Sequence, residues 1–358
     1  VPEHPRYWRP QMLVFADESL QRQSLLRFAA WIQGRSRFTA PVRILTGHMP
    51  RLRKEKEMAR EELTADIRKS GLEAFPLVVL ASDRKDAVQV LVQSFGIGPL
   101  RANTVLVNWV NDTSGSTENY MTTIYGRSLR EAYRFGCNLI IMDATVDEWN
   151  ELKETPTDKR RIDVWWHDDP TGNFMLLLAH MIAKNADWEG AEVRVLSSRE
   201  GNPADNPTEE AMKERLRDVR IDADPMVVNN FEADTVIKYS QDASLVFLPM
   251  QLRDVTSFIT IGRSPEDLFN RLPLTALVLA AETIELDAEP EEGEAAERAN
   301  ALDALSDAEK RAQKAQKEAD KAAATAQTLT AKLSNVQTSV ALQEDESIIV
   351  EPVSYTHL

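Results

Sequence analysis

The sequence predicts an α/β protein: two lobes, each built on a doubly wound parallel sheet, followed by an Ala/Glu/Lys-rich helical extension. Three observations carry this. Short apolar runs alternate with amphipathic stretches over most of the chain, which implies parallel strands joined by helices on both sheet faces. The alternation stops in a polar, charged stretch near residues 145–161, which holds Pro156, and then restarts. Beyond Asp287 the composition turns acidic and then Ala-rich, and residues 295–340 hold no Gly or Pro.

In the first run, residues 12–16 are a strand candidate, and 19–32 follow with Leu20, Leu25, Phe28, Ala29 and Ile32 near helical spacing. Residues 42–46 form a second strand. A charged helix over 52–70 is closed by Gly71. Residues 77–81 make a third strand, 86–95 a short helix and 104–109 a fourth strand. A helix over 118–135 ends at Gly136, and 138–142 supply the fifth strand.

The second run repeats the theme. Strands are expected at 162–166, 192–196, 225–228, 245–249 and 275–280, with helices at 173–185, 208–218 and 233–240. Thr208 can cap its helix, with Glu209 and Glu210 in the first turn. Ser264 can cap another that carries Pro265 at its first position. The expected organisation is a first lobe over 7–144, a linker over 145–161 and a second lobe over 162–287. No sequence repeat between the lobes is legible. Residues 295–340 favour a long exposed helix over a stable coiled coil, because alanines and polar residues fill most seam positions.

The chain has 358 residues, 43% of them apolar, and 57 acidic residues against 42 basic ones give a net charge of −15. That balance disfavours a nucleic-acid partner, which needs a basic face, and general adhesion to an anionic membrane. The single cysteine, Cys137, forms no intrachain disulfide, and the five histidines are scattered. A reducing compartment fits. No run approaches the roughly 18 to 20 apolar residues of a membrane span. The chain starts at Val1, and residues 352–358 read as an adapter-derived tail, so a fragment of a longer protein is expected.

Ligands of open parallel sheets lie at the carboxyl ends of the strands, yet no Gly-x-Gly-x-x-Gly or Gly-Lys-Ser/Thr loop follows a strand. Gly96-Ile97-Gly98-Pro99 lies before a strand and reads as a helix stop and tight turn. His167-Asp168-Asp169 is the most suggestive polar cluster. A metal or general-base site is one reading; carboxylates favouring the positive end of the next helix are the better one. Asp17-Glu18-Ser19 likewise reads as a helix cap, Ser114-Gly115-Ser116-Thr117 as a surface loop, Cys137 as inert packing and His180 as a core histidine. Trp165 and Trp166 are adjacent in one strand and so point to opposite faces, which makes that strand central if both are buried. No Ser-His-Asp or Cys-His arrangement can be defended. No catalytic residue, metal or cofactor is assigned.

Three stretches resemble the C-terminal domain of the cation-chloride cotransporter family. They are Trp8-Arg9-Pro10-Gln11-Met12-Leu13-Val14; then Gly96-Ile97-Gly98-Pro99-Leu100-Arg101-Ala102-Asn103-Thr104, where Ala102 replaces the usual proline; and Ile162-Asp163-Val164-Trp165-Trp166 with His167-Asp168-Asp169. The third is the most specific, and Trp188 and Val193-Arg194-Val195 follow it in family order. The resemblance covers about 7–285 and leaves out the Ala-rich segment.

It implies two lobes similar in fold to universal stress proteins, a position at the cytoplasmic side of a membrane, homodimers, and a part in regulating symport of chloride with sodium or potassium. The partner it implies is an N-terminal transmembrane domain of the same chain. The family's ion sites lie in those membrane helices, so no ion ligand is expected among these residues. A free-standing universal-stress-type nucleotide-binding module is the alternative.

Overall fold

The computed structural model describes residues 10–17, 21–34, 38–47, 49–97, 100–109, 126–143, 146–199, 208–218, 221–252, 258–261 and 266–281. The chain divides into two units, 1–302 and 303–358, and all of these residues lie in the first. The Ala-rich segment, Ser114 to Thr117, Ser264, Pro265 and residues 352–358 fall outside the described residues.

The first run comprises β1 (Met12–Phe15), α1 (Arg22–Gln33), β2 (Thr39–Thr46), α2 (Met49–Ser70), β3 (Leu77–Ala81), α3 (Arg84–Ser94), β4 (Gly96–Ile97), β5 (Leu100–Arg101), β6 (Thr104–Asn108), α4 (Gly126–Arg134) and β7 (Asn138–Asp143). After α5 (Val146–Glu154) the second run holds β8 (Arg161–Trp165), α6 (Pro170–Ala183), β9 (Glu192–Ser198), α7 (Glu209–Asp218), β10 (Asp224–Val228), α8 (Ala233–Ser240), β11 (Leu245–Pro249), β12 (Gln251–Leu252), β13 (Phe258–Ile259), α9 (Glu266–Phe269) and β14 (Thr275–Leu279).

Ten strands form one sheet in the order β10-β9-β8-β11-β14-β7-β6-β1-β2-β3. Numbered within its own run, each half has the same strand order, 3-2-1-4-5. Within each half the described pairs are parallel. The halves meet at their fifth strands, β7 and β14, which pair antiparallel from Thr275↔Asp143 to Leu279↔Leu139. The result is a continuous sheet with a seam at its centre. Two further hairpins, β4-β5 and β12-β13, are two residues per strand.

Alternating side chains build a core on each face. Met12, Val14 and Ala16 join α1, α2, α5, α6 and α7 on one side. Leu13 and Phe15 join α3, α4, α8 and α9 on the other. Burial on both faces explains why the strands read as apolar runs rather than alternating ones.

The segment expected as a linker is ordered differently from its polar composition. It holds α5 and a 3-10 turn, Thr157–Lys159. Trp149 and Leu152 sit three residues apart on one face of α5 and are buried in the first core. Helix α6 begins at Pro170 rather than 173, because Asp169 caps it and Pro170 suits its first turn. Among the described residues, no helix is long and apolar enough to cross a membrane.

Candidate functional site

Asn103 and Thr104 open β6 and act as a clamp on three strands. The Asn103 Oδ1 accepts from Gln11 N (2.8 Å) and from the Thr104 hydroxyl (2.9 Å). Its carbonyl accepts from Asn138 N (2.9 Å). This sets β1, β6 and β7 in register at their starts, a structural task that needs a short amide side chain. Gly96 pairs with Arg101 across the β4-β5 hairpin, and Gly98 lies outside the described residues. Cys137 is buried and its thiol donates to Ala102 O; burial pushes its pKa up to about 12, so it stays a protonated packing group.

Strand β8 lies between β9 and β11, and both tryptophans of its motif are buried. Ile162, Val164 and Trp166 enter one core and Trp165 the other. Trp165 donates through Nε1 to the Ser240 hydroxyl at 3.0 Å. Asp163, on the Trp165 side, is fully buried and held by two cations. Arg194 donates through Nε (3.1 Å) and Nη2 (2.7 Å), and Arg161 through Nε at 3.0 Å. Arg194 Nη2 also donates to Tyr239 O at 2.6 Å, which ties α8 to the cluster. A carboxylate at this depth persists because a guanidinium fork satisfies both of its oxygens.

The two aspartates after β8 part company. Asp169 accepts from Gly172 N at 2.6 Å and caps α6. Asp168 pairs with Arg215 at 2.9 Å, and Arg215 lies 5.7 Å over the Trp166 ring and donates to Asn173. His167 packs edge-on against Phe231. The cluster is thus a helix entry and not an assembled ligand set: among the described residues, no group of three His, Cys, Asp or Glu side chains is placed to hold a metal. Gly172 is required there, since a Cβ would stand 2.0 Å from His167 O.

Asp17 departs from the expected cap. Helix α1 has Gln21 as N-cap with no side-chain cap bond. Asp17 instead accepts from Ile44 N (2.8 Å) on β2 and pairs with the charged guanidinium of Arg84 on α3. His180 is half-buried, and burial, then Lys184, lowers its pKa below that of an ordinary histidine.

Sequence reasoning missed a second assembly, in which Asp187 joins the two halves. Arg27 of α1 grips its carboxylate through Nε (2.7 Å) and Nη2 (2.8 Å), and Trp31 Nε1 donates to it at 2.7 Å. Arg160 donates to the Asp187, Leu152 and Thr155 carbonyls and lies 5.6 Å over the Trp188 ring. Burial lowers the Arg160 pKa; Asp187 opposes the shift and Arg27 adds to it. Trp31 stacks on Trp149 (5.2 Å, 25°) and meets Trp188 edge-on (5.2 Å, 87°). A cavity of about 590 Å³ opens beside this cluster. The only sequence signal was a tryptophan on each of two amphipathic helices, with an aspartate in the turn before a third.

The model of solute carrier family 12 matches residues 142–247, a span that contains the whole of β8 and its motif. The potassium/chloride cotransporter 3 of Caenorhabditis elegans is 26% identical over 242 residues, 63% of this chain and 22% of that protein. This chain therefore spans about a fifth of that relative's length. Among solved structures, the cytoplasmic domain of a prokaryotic cation chloride cotransporter matches with a TM-score of 0.50 at 12% identity, over 79% of this chain and 99% of that one. A putative universal stress protein from Pseudomonas aeruginosa matches with a TM-score of 0.43 at 13% identity, over 74% of this chain and 91% of that one.

The solved-structure likeness shows an α/β fold, and residues 142–247 resemble solute carrier family 12. The chain's likeness over the matched stretches is to cation-chloride cotransporters.

Proposed function

We propose that this chain is the cytoplasmic regulatory and dimerisation domain of an electroneutral cation-chloride symporter. Sodium, potassium and chloride are moved by a membrane domain of the same protein, ahead of the residues described, and the domain itself catalyses nothing. It lies at the cytoplasmic side of the cell membrane. Its two halves, 7–144 and 162–287, act as a unit whose dimeric or effector-bound state biases the transporter, which requires two states with different contacts.

The observation that carries this reading is the family match over 142–247, which contains β8. A working catalytic constellation has no support in the geometry of that stretch: Asp163 is neutralised by two arginines, Asp169 is used as a cap and Asp168 is paired.

The test is made on the parent transporter in membranes. Deleting 7–285 should reduce chloride-dependent cation uptake, surface level or the dimer fraction seen by cross-linking. Unchanged values of all three would overturn the proposal.

A further inference from the structure

The chain carries a net charge of −15, yet the cavity beside Asp187 is lined by four cations and one carboxylate. Arg27 and Arg160 are fixed by the hydrogen bonds already described. Lys69, in the last turn of α2, and Lys153, in the last turn of α5, are exposed and make no hydrogen bond or ion pair among the described residues. Each alone is explained by its helix dipole, which places about half a negative charge at a C-terminus. That account does not explain why two helix ends turn their lysines into one cavity already holding two arginines. With Asp187 and both helix ends counted, an excess of roughly two positive charges remains. Trp149 and Leu152 add apolar lining.

We propose that this cavity is a binding site for a small organic phosphate. The dianionic head sits between Lys69 and Lys153, with the fixed guanidinium groups behind them, and the carbon skeleton lies along Trp149 and Leu152. Lysines suit this task as mobile point charges closing on a phosphate. The volume is in the range of small-molecule pockets. The site lies in the cleft between α1, α2 and α5, and its assignment does not rest on the transporter reading.

Calorimetric titration of the full chain with phenyl phosphate tests this. Saturable binding with a Kd below about 1 mM is expected, with inorganic phosphate at least about tenfold weaker because it leaves the apolar lining unused. The paired variant Lys69→Met and Lys153→Met keeps the aliphatic stems, so it should keep its thermal midpoint and lose at least about tenfold in affinity. The control pair Lys54→Met and Lys56→Met, on the same α2 but outside the cavity lining, should bind as the parent does. Absence of saturable phenyl phosphate binding, or equal losses in the two paired variants, would overturn the proposal.

Discussion

The two halves of the sheet follow one strand order but treat their first strands differently. Strand β1, Met-Leu-Val-Phe, is apolar throughout and fully buried. Strand β8 lies in the equivalent place and carries Asp163 on the face where β1 carries Leu13. The helix that follows also differs: α6 is capped by Asp169 and pressed by Gly172 onto the His167 carbonyl, whereas α1 has no side-chain cap and its nearby aspartate serves β2 and α3. One topology therefore accepts two solutions at its centre, an apolar one that packs and a charged one that also fixes neighbours by direction. The charged solution is the more brittle, because a buried ion stranded by loss of its partner costs more than a missing methylene.

The largest effect should come from Asp163→Ala, which strands Arg194 and Arg161 at the centre of the second half. A loss of about 3–5 kcal/mol is expected in urea unfolding. Replacing Asp163 and Arg194 together by leucine should restore much of it, and failure to do so would show that the cluster does more than neutralise itself. Gly172→Ala comes next, at about 3 kcal/mol by the same measurement, since its Cβ has backbone on one side and Trp166 on the other. A near-neutral result would remove the contrast between α6 and α1.

Between the halves, Asp187→Ala should cost about 2 kcal/mol through loss of charge-assisted bonds to Arg27 and Trp31, and hydrogen exchange should quicken in α1 and around Trp188 together. At the seam itself the effect is a slope with pH. Asp143 ends the seam strand, and burial, then Glu148, raise its carboxyl to about 7 from 3.8. A folded pKa above the unfolded one contributes stability that is complete below about pH 4 and lost as pH rises to about 7. Unfolding free energy should fall across that window, by at most about 1.4 kcal/mol for each pH unit, and Asp143→Asn should flatten the fall.

Much of this architecture was legible. Met12 to Phe15 and Leu245 to Pro249 read as strands because both faces are buried, and Asp168-Asp169 before Pro170 reads as a helix entry because capping chemistry is local. Less legible was the pairing of β7 with β14, since a strand that is apolar on both faces carries no mark of its neighbour or direction. The expected linker failed to show its helix because Trp149 and Leu152 are a lone buried apolar pair among the described residues of a charged stretch. Asp17 misled for the opposite reason: a cap-like pattern was present, but a distant amide and Arg84 claimed the carboxylate. The Asp187 assembly joins residues about 160 apart, and no local rule reaches that far.

The antiparallel seam has a mechanical consequence. Five residue pairs, Thr275↔Asp143 to Leu279↔Leu139, fasten the halves through backbone hydrogen bonds, and Asp187 rivets a helix of one to a turn of the other. Opening them like a clamshell means tearing a ladder in the middle of a sheet. The body is therefore a girder: torque applied at one outer strand arrives at the other, and an object attached at either end feels the load on both.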